Sequence, residues 1–538
     1  MEPDALQREN KPLERRVILT GVLRRDYAGI LLAGLAMSVG WGFRGDYGHE
    51  AGAMVPGALL GMAICLGSGR EDWWKRSAIV GLFGAIGWAF GGQMSYGRII
   101  GYTASSSLPN VAYGYACLFI IGGLWAGIGS GVLAMSLTRP FSSLNAFTAP
   151  LTGLMVVWMG LDVTGLSERL VEKWPMHDTD WVAATSAVVV AIVCARIFPS
   201  SRPACMLIGR LGLSWWLGYL LLTVVLNLHM TPPRSDNWSG CVGLFIGLLT
   251  YLMRQRESAA CVMMSWGFLF GGIGFVAGDF VNMLGRGQWG PIGAYASLQG
   301  LDYWKWMEQL FGLIMGLGIG WVFLRRLQNR AVVQEERPSR WLQMGAVIFL
   351  LILMFWANFH KTVRNWRLAE AIPETILGVG VGHVILLIAL LLSFAVIAGL
   401  NGLRRQEQTL PPASPLRRNQ GLFLIILWVA VVGALLQAFP RMSSPAVFLV
   451  HVTFWITASI CSLIVACLPA VSTRGRSGCT PPWAGSWTLG RHFWSCCLLT
   501  LVFVLALAQL TVLSHEGDLP GSHRRFGISD ESISPSGN

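Results

Sequence analysis

The sequence predicts an all-α polytopic membrane protein of about fifteen transmembrane helices, and three observations carry that expectation. Of 538 residues, 54% are hydrophobic and 13% charged, with a mean hydropathy of +0.54. Soluble domains carry about 25% charged residues. Runs long enough to cross a bilayer recur along the whole chain, and between 207 and 230 the basic residues Arg210 and His229 are present but no acidic residue. The basic residues fall in compact pairs on alternate loops: Arg15-Arg16, Arg24-Arg25, Lys75-Arg76, Arg325-Arg326, Arg404-Arg405 and Arg417-Arg418. That pattern places the N-terminus and those loops in the cytoplasm.

In order, the apolar runs fall at 27–43, 51–67, 77–93, 114–136, 148–162, 181–198, 211–228, 239–253, 261–279, 308–325, 341–358, 375–400, 421–438, 445–468 and 493–513. The run at 148–162 is the weakest, so the count is fourteen or fifteen. Residues 1–26 read as a cytoplasmic segment with no apolar core. Residues 401–420 form a Pro-containing cytoplasmic linker, and 421–513 a three-helix extension. The tail, 514–538, is rich in Ser, Gly and charge and reads as disordered.

A duplication is written into 27–400. Gly57, Gly61, Arg70 and Glu71 recur as Gly243, Gly247, Arg256 and Glu257, an offset of 186. Gly84, Gly87 and Gly91 recur as Gly271, Gly274 and Gly278 at 187; Gly97-Arg98 as Gly285-Arg286 at 188; Gly123, Gly127 and Gly131 as Gly312, Gly316 and Gly320 at 189. The offset grows one residue at a time, as loop insertions would make it. Two parallel six-helix repeats, 27–200 and 205–400, are expected. This six-plus-six plan resembles the topology of the major facilitator class. The loop Gly67 to Arg76 has an acidic residue before basic ones, as in that class, but at another spacing, so the likeness is one of architecture alone. Glycines four apart let helix backbones approach in lipid. The run Gly127-x-Gly129-x-Gly131 follows no strand and is no phosphate loop.

Charge is concentrated in one stretch, Gly40 to Met54, where Arg44, Asp46, His49 and Glu50 fall within seven residues. The apolar run after it, 51–66, spans about 24 Å at 1.5 Å per residue, short of a hydrocarbon core of about 30 Å. Extending that helix draws His49 and Glu50 toward the membrane, where ionisable groups face protein or water rather than lipid. Glu50 maps onto Asp236 of the second repeat, and Arg98 onto Arg286, while Asp279 and Asn282 close the ninth span. All fall on the outer side. A solute- or ion-binding vestibule is therefore expected from Arg44, Asp46, His49, Glu50, Arg98, Asp236, Asp279, Asn282 and Arg286. Tyr96, Tyr102, Tyr113, Tyr115, Trp289, Tyr295, Tyr303, Trp304 and Trp306 lie in or beside the adjoining loops. They read first as an interfacial belt and second as ligand-stacking faces.

Several classes drop out. The net charge of +12 is spread over loops without an aromatic-interleaved patch, so no nucleic-acid partner is expected. The eleven cysteines show no metal spacing, and His49-Glu50 lacks the second histidine of H-E-x-x-H, position 53 being Ala. Neither metal nor cofactor is expected. Three functions stay open. The first is a secondary transporter of a small polar or anionic solute, with proton or sodium bound by Glu50 and Asp236. The second is a polytopic enzyme resembling lipid-linked glycosyltransferases, which place an acid in the first external loop. The third is a scaffold. The expected setting is the cell membrane, as in a bacterial inner membrane, with the lipid bilayer as partner.

Overall fold

The computed structural model describes residues 25–91, 94–173, 180–232, 236–327, 339–359, 374–381, 383–384, 387, 415–438, 441–468 and 486–527. The side chains of His49 and Glu50 fall outside the described set, and so do most of 375–400, of the linker 401–420 and of the N-terminal segment. Among the described residues, eleven helices are long and apolar enough to cross a membrane. Every expected span except 375–400 falls on a helix. Within 375–400 the described part includes a short hairpin, Thr375–Ile376 paired with Val379–Gly380.

The helices that matter here are α1 (Arg25–Tyr47), α2 (His49–Gly67), α3 (Glu71–Ala89), α4 (Gly97–Thr103), α5 (Leu108–Thr138), α6 (Phe141–Val163), α7 (Asp180–Ile197) and α8 (Pro199–Val225). They continue with α9 (Asn237–Arg254), α10 (Ser258–Arg286), α11 (Tyr303–Trp321), α12 (Arg340–Phe359), α13 (Pro415–Ala438), α14 (Pro445–Cys467) and α15 (Ser486–Leu513). Helix α5 is the hub: 83% of its apolar window is buried, and it packs on α10, α3, α4, α9 and α15. Helices α6 and α7 are peripheral, with only 17% and 22% buried. Val189, Ile192 and Val193 of α7 and Leu213 and Leu217 of α8 lie exposed, an apolar surface suited to lipid.

Glycine sets the closest crossings. A Cβ on Gly122 would lie 2.4 Å from the Gly271 carbonyl oxygen, and one on Gly271 would lie 2.2 Å from that of Gly122. Gly57 and Gly84 make the same reciprocal contact between α2 and α3, at 2.4 and 2.3 Å. With no hydrophobic drive between helices in lipid, such backbone approach is what van der Waals association requires.

The paired glycine triplets meet unlike partners. Gly312 and Gly316 abut the Met37 and Ala33 carbonyls of α1, whereas Gly123 abuts the Phe268 ring, Gly127 the Phe245 ring and Gly131 the Met264 side chain. On α5 the backbone crossing runs through Gly122 instead. Likewise α2 packs chiefly on α3, while its sequence counterpart α9 packs chiefly on α8. The likeness between the halves is thus not repeated in these contacts.

At one end of the bundle, arginines close helix termini. Arg76 donates to the Ser136 and Arg139 carbonyls at 3.2 and 2.6 Å, with its guanidinium 4.0 Å over the Phe141 ring. It satisfies carbonyls that the end of α5 leaves without helical partners. Arg139 pairs with Glu257 at 2.5 Å, and Arg325 with Asp26 at 3.4 Å.

Candidate functional site

The opposite end holds the charged stretch. Gly48, at φ +94°, turns the chain from α1 into α2, a conformation that disfavours any side chain. Gly52 then lies so close to the Arg44 carbonyl oxygen that a Cβ would stand 2.1 Å from it. Arg44, on the last turn of α1, is thereby folded inward and is only 1% exposed.

Arg44 Nη1 donates to the Tyr96 hydroxyl at 3.1 Å, and that hydroxyl donates to Glu308 Oε1 at 2.6 Å. Lys305 Nζ donates to Asp46 Oδ1 and to the Gly42 carbonyl, both at 3.1 Å, and lies 3.8 Å from Glu308 Oε2. The guanidinium of Arg44 stands 4.9 Å over the Trp125 ring and 5.5 Å over Trp41. Two cations and two carboxylates therefore sit together, tied by one tyrosine and walled by indoles. Tyr96 lies between helices, and burial, then the Glu308 carboxylate, hold its phenol well above its ordinary range. It stays a neutral donor.

Beside this network opens a cleft of about 470 Å³. Gly97, Ile100 and Gly101 of α4 form one wall, and Asn282, Gly285 and Arg286 of α10 another. Gln299, Asp302, Tyr303 and Trp304 approach from the α10–α11 connection and the start of α11, and Gly521 from the tail. Trp304 stacks on Tyr96, centroids 5.7 Å apart and planes at 20°, so the cleft and the buried network share one aromatic pair. On the other flank Asp279 is fully buried. Its Oδ2 lies 2.6 Å from Thr103 Oγ1, and its Oδ1 accepts from Asn282 Nδ2 at 3.1 Å.

The tail corrects an expectation. Residues 514–527 are laid against the bundle rather than free. The Leu519 and His523 amides donate to the Ala104 and Gly101 carbonyls at 2.9 and 2.8 Å. Asn110 Oδ1 accepts from the amides of Arg525 and Phe526, and its Nδ2 donates to the Phe526 carbonyl. Arg286 donates to the Pro520 carbonyl. Asp518 accepts from the Ser106 amide and hydroxyl and pairs with Arg524. Burial works against its ionisation, but those donors and that guanidinium outweigh it and hold the carboxyl down to about 2. The composition of the segment carried no periodicity; its order comes from main-chain groups together with Asp518, contacts that composition cannot report.

The expected residues divide into groups. Arg44 and Asp46 enter the buried network; Asn282 and Arg286 line the cleft, with Asp279 behind Asn282. Arg98 is half-buried on α4, and its Nε, buried, has no hydrogen-bond partner among the described residues. Asp236 stands apart. At the start of α9 it pairs with His229 at 2.7 Å, and α9 packs on α8, α5 and α10 rather than on α2. The side chains of His49 and Glu50 lie outside the described residues. Lys305 and Glu308 were not among the expected residues, since 308–325 counted only as an apolar span. Their i,i+3 spacing, with Lys305 set between Trp304 and Trp306, was the available signal. Tyr96 and Trp304, first read as belt residues, stack within the site. The chain matches no protein-family model, no curated protein and no solved structure.

Proposed function

We propose that this integral membrane protein is a secondary transporter that takes a small polar or anionic solute into the cleft between α4, the end of α10 and the start of α11. The observation that carries the reading is the cleft's lining, which includes Arg286, Asn282, Gln299 and Trp304, with a buried two-cation, two-carboxylate network behind Trp304. Ionisable groups sunk among membrane helices are costly, and they mark solute and ion paths more often than frameworks. Glycine-to-glycine crossings such as Gly122 with Gly271 leave few interlocking side chains to resist sliding. The cleft end faces outward if the arginine-capped end is cytoplasmic, as the basic loops suggest.

Proteoliposomes holding the purified protein test this. Uptake of labelled small carboxylates, amino acids or sugars should be seen for at least one class and fall tenfold or more in Asn282→Ala. Turnover of a lipid-linked sugar donor without any flux would favour the enzyme instead.

A further inference from the structure

Hydrogen counting around Asp279 leads further. Thr103 Oγ1 has one hydrogen and two acceptors in reach, the Ile100 carbonyl at 2.9 Å and Asp279 Oδ2 at 2.6 Å. Helical threonine habitually gives its hydrogen to a carbonyl of the preceding turn. When it does so here, a lone pair of Oγ1 faces Asp279 Oδ2 at the separation of an O–H···O bond, and the hydrogen for that bond must sit on Asp279. Asn282 Nδ2 already donates to the other oxygen, Oδ1. A protonated Asp279 therefore satisfies the whole set: one donor to Thr103, one acceptor from Asn282, and the threonine hydrogen on Ile100.

The ionised form fits worse. Asp279 is 0% exposed and has no ion pair among the described residues, and an unpaired charge among membrane helices is expensive. The charged group that reaches it is Arg286, two turns along the same helix, which spends a donor on the Pro520 carbonyl. From α5, the Tyr115 hydroxyl is held by Thr511 of α15 at 2.6 Å. From α4 come Arg98 and Tyr102, from α11 Tyr303, whose hydroxyl donates to the Leu298 carbonyl, and from beyond α15 His515, beside Gly287. None of these four is bonded to Asp279.

The geometry points to Asp279 as a proton-carrying carboxylic acid set behind the cleft, joined to it by Asn282, so that the solute and a proton are bound together. An anion on Arg286 weakens the cationic field that this guanidinium exerts at Asp279 and favours retention of the proton. By linkage, the proton favours the anion to the same degree. This pairing rests on the transporter reading; the protonated acid does not.

Infrared difference spectroscopy on the reconstituted protein, without any solute, reads the acid directly. At neutral pH the wild type should show the carbonyl band of a protonated carboxylic acid, moved by deuterium exchange and lost in Asp279→Asn. Thr103→Val keeps the carboxyl but removes its acceptor, and should shift that band rather than abolish it. A band that survives in Asp279→Asn, or a wild type without one at neutral pH, overturns the assignment. If Asp279→Asn does not fold, the Thr103→Val shift decides alone, and an unmoved band sinks the proposal. Pairing is read separately, as alkalinisation outside proteoliposomes during uptake. Flux without alkalinisation removes the coupling and leaves the acid, whereas absence of flux removes the transporter reading only.

Discussion

At the scale of single residues, Lys305 is the cation on which two carboxylates depend, and it is largely withdrawn from solvent. Its ammonium answers both Asp46 and Glu308, and its side chain is 17% exposed. Lys305→Met should remove the cation that touches both carboxylates among the described residues and cost about 3–5 kcal/mol, the penalty for breaking a buried pair from one side. Thermal unfolding in detergent measures it. Glu308→Gln keeps an acceptor for Tyr96 and should cost clearly less, and equal losses for the two variants would contradict the network as described. Only part of this was legible in the chain. Arg44 and Asp46 announced themselves by clustering within a few residues of each other, but their partners Tyr96 and Lys305 come from 52 and 259 positions away. Contacts at that separation are fixed by packing, not by local pattern.

Among the elements, α5 with α10 and the tail segment yield separate expectations. Gly122→Leu forces a side chain into the Gly271 carbonyl, and overpacking of this kind costs typically 1–3 kcal/mol or more. Gly123→Ala meets a Phe268 ring, which can turn, so it should be milder. A matched pair of unfolding curves separates the two, and a larger loss at 123 than at 122 would place the crossing on the wrong face.

The tail should respond to acid. Asp518 has a folded pKa of about 2, below its ordinary value of 3.8, so it stabilises docking at every pH above that ordinary value, and the contribution is lost as pH falls through about 2. Protection of the Leu519 and His523 amides, taken as exchange relative to an unstructured amide at the same pH, should be high at pH 5 and lower near pH 2, and Asp518→Asn should remove that difference. Protection as high at pH 2 as at pH 5 in the wild type would mean that the carboxylate does not hold the segment.

Across the whole molecule, the two ends differ in kind. One is closed by arginines on helix carbonyls, the other carries the cleft, the buried network and the docked tail. Basic loops lie at the first, so the cleft end should be extracytoplasmic. Glu516→Cys, at an exposed position after α15, should react with a membrane-impermeant maleimide in intact cells. Labelling only after permeabilisation would invert the orientation and the transport direction.

What the sequence determined by itself is the class of molecule. Fifteen apolar runs, the charge-poor composition and the paired basic loops follow from the bilayer as solvent, which acts on every residue locally and so leaves its mark in local composition. The sequence also showed glycine recurring at matched positions. What those glycines touch, which carboxylate meets which cation, and where the tail lies were decided only in three dimensions. Gly123 and Gly312 look alike along the chain yet face a phenylalanine ring and a helix backbone, respectively. A pattern records what a position tolerates; the neighbour that uses the tolerance is chosen by how whole helices settle against one another.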